Sequence, residues 1–196
     1  MDKEKPPHDE FFTYVFSDPL NVRDFLKANI PADVLSLLDL NTLRISKESF
    51  VDEELKSHQS DILIETALTS FAEPVCIYIL LEHKSSPDRW TLLQLLTYMV
   101  KIWKKKRGKR LPVIIPVIFY HGRSQWNYPI EFSRYFDAPE SLAPYTPRFT
   151  AELFDAGRIE LTRVRGNTLY RAAMLLFCYT FRNFEGNLEK IFSPHF

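Results

Sequence analysis

The chain of 196 residues carries 25 Lys+Arg against 25 Asp+Glu, a formal net charge of zero, with 45% hydrophobic residues. That composition excludes a disordered, collagen-like or disulfide-scaffold protein and suffices for one domain with a sizeable core, alone or with an appendage. The neutral total is a cancellation: residues 1–100 hold 9 basic and 17 acidic residues, net −8, whereas residues 101–196 hold 16 basic and 8 acidic, net +8. Asymmetry of this kind hints at an anionic partner.

Cys76 and Cys178 each lie inside an apolar run, and no pair sits at metal or redox spacing, as expected of buried thiols in a reducing compartment. The N-terminal MDKEKPPHDE has no apolar signal core. The longest apolar stretch, Ala172–Phe181, falls far short of the ~20 residues of a membrane span. A cytoplasmic chain with no membrane partner is the expectation.

Apolar spacing over residues 8–29, interrupted near Pro19, predicts two short helices, and Pro31 opens a third over 31–40. Three strands are predicted next, at Leu43–Val51, Asp61–Thr66 and Val75–Glu82, the last apolar on both faces as in the middle of a sheet. Ser85, Ser86 and Pro87 supply cap and first-turn residues for a helix of about 20 residues ending near Gly108. Leu111–Tyr120 reads as a further strand that carries Pro112 and Pro116, closed by a His121-Gly122 turn. Residues 123–166 read as loops with short elements, and 167–184 as an apolar helix with Leu169, Ala173, Leu176 and Phe177 inward. The order of helices, three strands, a long helix and a strand predicts a mixed sheet with helices on both faces, an α/β sandwich in three layers.

Charge appears where a core strand should not have it. Glu82 and Lys84 lie at the end of the buried strand and, two residues apart, share one face while His83 takes the other. If the strands of Asp61 and Glu82 pair, their carboxylates meet at one end. Such a pair is costly in a dry site unless a cation lies between. Hard oxygen ligands suit Mg²⁺, with Mn²⁺ as the alternative. On the following helix Gln94, Tyr98, Lys101 and Lys105 form one stripe, opposite an apolar set of Leu92, Leu96, Met99 and Trp103. The stripe runs into Lys101, Lys104, Lys105, Lys106, Arg107, Lys109 and Arg110, a basic cluster able to hold a phosphate backbone.

The H-D-x-x-F of His8, Asp9 and Phe12, the segment Ser49–Leu55, Ser60-Asp61, the block Leu80–Trp90 (LLEHKSSPDRW), Leu95, Leu96 and Tyr98, and the run LPVIIPVIFYHG form a set. Together they resemble the recombination-promoting nuclease/putative transposase family of the PD-(D/E)XK nuclease superfamily, over about residues 8–150. The resemblance implies a restriction-endonuclease-like αβββαβ core over 1–150, followed by a C-terminal extension over 151–196 whose apolar helix packs on the core or a partner. It implies a Mg²⁺-dependent DNA endonuclease linked to recombination or mobile elements, with a homodimer as one allowed arrangement. Asp61 and Glu82 would be metal ligands, the backbone carbonyl of His83 a further one, and Lys84 would position or activate the attacking water. Gln94 and Tyr98 look like the superfamily's Q-x-x-x-Y element, and Asp9 or Glu10 could support the metal from the first helix. Many relatives carry Lys at the place of Thr13 and Gln at that of Lys84. The rival expectation, from another class, is a catalytically silent DNA-binding or protein-interaction module on the same fold. No G-x-S-x-G, H-E-x-x-H, phosphate-cradling glycine loop or zinc spacing supports a serine hydrolase, zinc protease or NTPase.

Overall fold

A computed structural model of the chain describes residues 7–46, 62–69, 76–106, 110–160 and 164–179, with the backbone alone for 7–8, 76–82 and 179. The first two helices, α1 (Pro7–Phe16) and α2 (Pro19–Asn29), form as predicted. Asp18 sets the boundary between them: its backbone is extended, its side chain accepts the Leu20 N–H at 2.8 Å, and Pro19 takes the first helical position, where a missing N–H is harmless.

The third helix predicted over 31–40 is helical only at α3 (Ala32–Leu35). From Leu38 the chain is already β1 (Leu38–Ile45), because Leu38 and Asp39 pair with Leu68 and Ala67 of β2 (Ile62–Leu68). Pairing with a neighbouring strand overrides the local helical pattern of the leucines there. The part of the predicted strand beyond residue 46 lies outside the described residues.

The remaining elements are β3 (Cys76–Lys84), α4 (Thr91–Lys105), β4 (Val113–Tyr120), β5 (Glu152–Asp155) and α5 (Thr168–Tyr179). The sheet runs β1-β2-β3-β4-β5, antiparallel from β1 to β3 and parallel from β3 to β5. Helix α4 is the crossover between parallel β3 and β4, the connection that such strands require. Pro116 is tolerated within β4 because the pairing with β5 begins only at Val117, so at the proline the strand still has one neighbour.

Helix α4 starts later than predicted and spans 15 residues. Ser85, Ser86 and Pro87 do not cap it. Trp90 holds the cap position with no side-chain cap bond, and Asp88 before it fixes the approach, accepting the Trp90 N–H on Oδ1 at 2.9 Å and the Thr91 N–H and hydroxyl on its backbone carbonyl at 3.2 and 2.9 Å. Strand β5 was not legible in the region read as loops, since four residues (ELFD) carry too little periodicity to stand out.

Helices cover both faces of the sheet. On one, α1, α2 and α5 pack on Ile62, Ile64, Val117, Phe119 and Phe154. Phe119 is wholly buried, with the rings of Phe12, Phe16, Phe25, Phe154 and Phe177 centred 4.7–5.9 Å away. On the other, α4 packs Leu92, Leu95, Tyr98, Met99 and Ile102 on Leu63, Ile114, Ile118 and Tyr120. The inward face of α4 therefore differs from the predicted set: Leu96 and Trp103 are only partly buried, and Tyr98, placed outward by the stripe, is buried. In α5, Ala173 and Phe177 point inward as predicted, but Leu169 and Leu176 are 42% and 52% exposed and Tyr170, Met174 and Cys178 take their places.

Asn167 docks α5 onto α2. Its backbone N–H donates to Asp24 Oδ2 at 2.8 Å, its side chain donates to Asn21 Oδ1 at 2.9 Å, and its Oδ1 accepts the Tyr170 N–H at 3.0 Å. Gly166 before it has φ +135°, and an added Cβ would crowd Tyr170 and Asp24, so glycine is required at this turn.

Candidate active site

The pairing of β3 with β4 sets the site. Glu82, His83 and Lys84 stand opposite Ile118, Phe119 and Tyr120, and these three partners alternate between the two cores. His83 accordingly faces α1 and α5, and Lys84 faces α4. Lys84 is 8% exposed, and its Nζ donates to Gln94 Oε1 at 2.8 Å. Gln94 Nε2 donates in turn to Tyr98 Oη at 2.9 Å. The four-residue spacing on α4 that suggested a stripe thus produces a chain of side chains from strand to helix. Asp88 Oδ2 stands 3.7 Å from Lys84 Nζ, a contact made by the loop after β3 that no strand or helix period signals.

Behind Lys84 the backbone is fixed. The His121 N–H donates to the Lys84 carbonyl at 3.0 Å, which by strand alternation turns the His83 carbonyl toward the β2 edge. At Gly122 a Cβ would collide with the Tyr120 hydroxyl and the Ser85 carbonyl, so only glycine lets the turn after β4 close against the end of β3.

Asp61 lies outside the described residues, as does the side chain of Glu82, and with them the expected carboxylate pair. Among the described residues no group of three or more His, Cys, Asp or Glu could hold a metal ion. Asp9, expected as one support for the metal, is engaged elsewhere: its Oδ1 lies 2.9 Å from His83 Nδ1, on the opposite side of the sheet from Lys84. Glu10 is exposed.

The His83 ring stacks between Phe12 (4.3 Å, 16°) and His121 (4.5 Å, 4°), with Phe177 against both. His83 Nε2 is buried with no hydrogen-bond partner among the described residues. Sequence reasoning placed His121 at a turn. It is 1% exposed, and nothing in the spacing signalled a stack between residues 38 apart.

Of the basic cluster, Lys104, Lys105 and Arg110 are exposed, and Lys101 and Lys106 partly so, while Arg107 and Lys109 lie outside the described residues. Lys106 Nζ reaches Glu65 Oε1 on β2 at 3.3 Å, so part of its charge is answered within the fold. The cluster sits at the C-terminal end of α4, about 10–17 Å along the helix from Gln94 at 1.5 Å per residue. It shares α4 with Gln94, the partner of Lys84, but lies toward the other end of that helix. No described helix is long and apolar enough to cross a membrane.

The chain is 30% identical over 139 residues to the recombination-promoting nuclease RpnC of Escherichia coli K12, covering 68% of this chain and 45% of that protein. It is 35% identical over 127 residues to the recombination-promoting nuclease RpnD of E. coli O157:H7, covering 63% and 48%. It is also 32% identical over 138 residues to RpnE of E. coli K12, an inactive recombination-promoting nuclease-like protein, covering 68% and 46%. The chain therefore spans under half the length of these relatives. No solved structure matches it. The model of the YhgA-like putative transposases matches residues 6–193, nearly the whole chain, and the chain belongs to that family.

Proposed function

We propose that this chain is a Mg²⁺-dependent DNA endonuclease with a restriction-endonuclease-like, three-layer αβββαβ core. The observation that carries the reading is Lys84, a lysine buried at a strand end with its ammonium on Gln94 Oε1, 3.7 Å from Asp88 Oδ2, and with Tyr98 behind Gln94. Gln94 and Asp88 offset the cost of burying the ammonium and hold it at the strand end next to Glu82, where it can stabilise charge on a phosphate.

Asp61, Glu82 and the His83 carbonyl would hold the metal. The reading requires Asp61 to stand opposite Glu82, one step along from the observed Ile62–Leu81 pair. Oxygen donors of this kind suit a hard divalent cation, and the turning of the His83 carbonyl toward the β2 edge fits it for the role. Bound there, Mg²⁺ or Mn²⁺ lowers the pKa of a water and neutralises charge at the scissile phosphate. Lys84 stabilises the charge that develops on the phosphate oxygens, Gln94 fixes the direction of its ammonium, and Tyr98 fixes Gln94. The basic end of α4 holds flanking phosphates. A separation of about 10–17 Å corresponds to about three to five nucleotide steps of 3.4 Å along one strand.

The test is plasmid nicking in Mg²⁺, Mn²⁺ and Ca²⁺, with Asp61→Ala and Glu82→Ala beside the parent chain. Loss of nicking in both variants, with circular dichroism unchanged, is expected. Activity that persists in excess EDTA overturns the metal role. The name of RpnE, an inactive nuclease-like protein, favours a second reading, a silent nuclease-fold DNA-binding or protein-interaction module. That reading predicts salt-sensitive DNA binding through residues 101–110 without nicking in any divalent ion.

A further inference from the structure

Trp90 ends the loop between β3 and α4 with its side chain 56% exposed, yet its backbone is tied to the neighbourhood of Lys84. Its N–H donates to Asp88 Oδ1, and the other oxygen of that carboxylate is the one 3.7 Å from Lys84 Nζ. Arg89 is also exposed and lies over the indole, its Cζ 5.2 Å from the ring centroid. The Tyr135 ring stands 6.4 Å from that of Trp90, tilted by 45°.

This aromatic pair has a rigid backing. Tyr135 stacks on Phe132 (5.8 Å, 20°), which is buried and stacks on Phe149 (4.9 Å, 18°). The Tyr135 hydroxyl is buried with no hydrogen-bond partner among the described residues, and burial pushes its pKa up while Arg89 pulls it down. An isolated exposed aromatic is ordinary on a protein surface. Here an exposed indole with a guanidinium over it adjoins the one buried lysine among the described residues, braced by three further rings.

We propose that Trp90, braced by Tyr135 and flanked by Arg89, is a platform on which an unpaired nucleobase stacks beside the phosphodiester facing Lys84, so that the chain acts on DNA whose bases at the cleavage site are out of the helix stack. The inference rests on the nuclease reading and names its substrate form. Aromatic rings and arginine planes bind bases by their π-faces. In a duplex those faces are covered by neighbouring bases, and only base edges line the grooves. A stacking platform therefore selects single strands or flipped bases over regular duplex.

The test uses the full chain in EDTA, with fluorescence anisotropy on a labelled oligothymidine strand, the same strand with abasic sites, and a duplex. Trp90→Ala should weaken binding of the base-bearing strand by about 5- to 150-fold, Trp90→Phe should keep most of the affinity, and binding of the abasic strand and the duplex should change by less than about twofold. Equal affinity of the parent and Trp90→Ala overturns the platform. So does an equal loss on the abasic strand, which would make the contact one to phosphate, and so does the absence of any binding to the base-bearing strand. A dimer in light scattering that Trp90→Ala splits, with strand binding unchanged, also overturns it and assigns the ring to a second copy. Strand binding that depends on Trp90 without nicking in any divalent ion removes the nuclease reading and leaves the platform. Nicking with no dependence on Trp90 does the reverse.

Discussion

His83 and Lys84 are consecutive residues with opposite surroundings. His83 enters a stack of rings closed by Phe12, His121 and Phe177, with Asp9 on its Nδ1. Lys84 enters a polar chain that runs through Gln94 to Tyr98. At the end of β3 one side of the sheet is thus aromatic and the other polar. The backbone between them is common to both, so the aromatic face can position the polar one without touching a substrate. Asp9 is on this view a positioning residue for the end of β3, where the resemblance had suggested a support for the metal.

The largest effect expected is on the aromatic face. Phe119→Ala removes a ring that five others surround and should cost about 3–5 kcal/mol in urea unfolding. A loss under about 1 kcal/mol would mean that the core collapses around the gap and that this face is softer than its packing implies. On the polar face, Lys84→Ala should lower the nicking rate by about 10²–10³-fold while leaving the fold intact, as removal of a single charge-stabilising donor does. Nicking at the parental rate would erase the contrast between the two faces.

Asp9→Ala addresses the link between them. It leaves His83 Nδ1 buried without its partner and should cost about 1–3 kcal/mol of stability. A positioning role adds a fall in kcat for nicking with KM little changed, and Asp9→Glu should restore part of it. A loss of stability with kcat untouched would confine Asp9 to structure. The smallest effect is expected for Tyr98→Phe, which removes the hydroxyl that anchors Gln94 and should cost about 0.5–1.5 kcal/mol in stability. If the chain through Gln94 orients the lysine, nicking falls with it by a few-fold.

Much of the fold was legible because its signals are local. Asp18-Pro19 marks a helix boundary through one side-chain hydrogen bond and one fixed dihedral, and both act where they stand in sequence. The β-branched run of β4 and the apolar run of β3 declared buried strands. Illegible were β5, whose four residues become a strand only by lying beside Val117–Tyr120, and the strand character of Leu38–Leu40, which the partner β2 supplies. In the site, Lys84, Gln94 and Tyr98 were readable together because i, i+2 and i, i+4 relations follow from strand and helix geometry alone. The outward placement of Tyr98 failed because the width of the buried face of α4 is set by what the sheet presents to it.

The sequence by itself determined that residues 82 and 84 share a face, that 94 and 98 share a face, and that charge enters the end of a core strand, since all of these follow from the backbone period of a single element. Only the tertiary structure decided the partners. Asp9 meets His83 across 74 residues, His121 stacks on His83, and Tyr135 stands against Trp90. Contacts between distant positions depend on strand register and on which helix covers which face, and no local period encodes either.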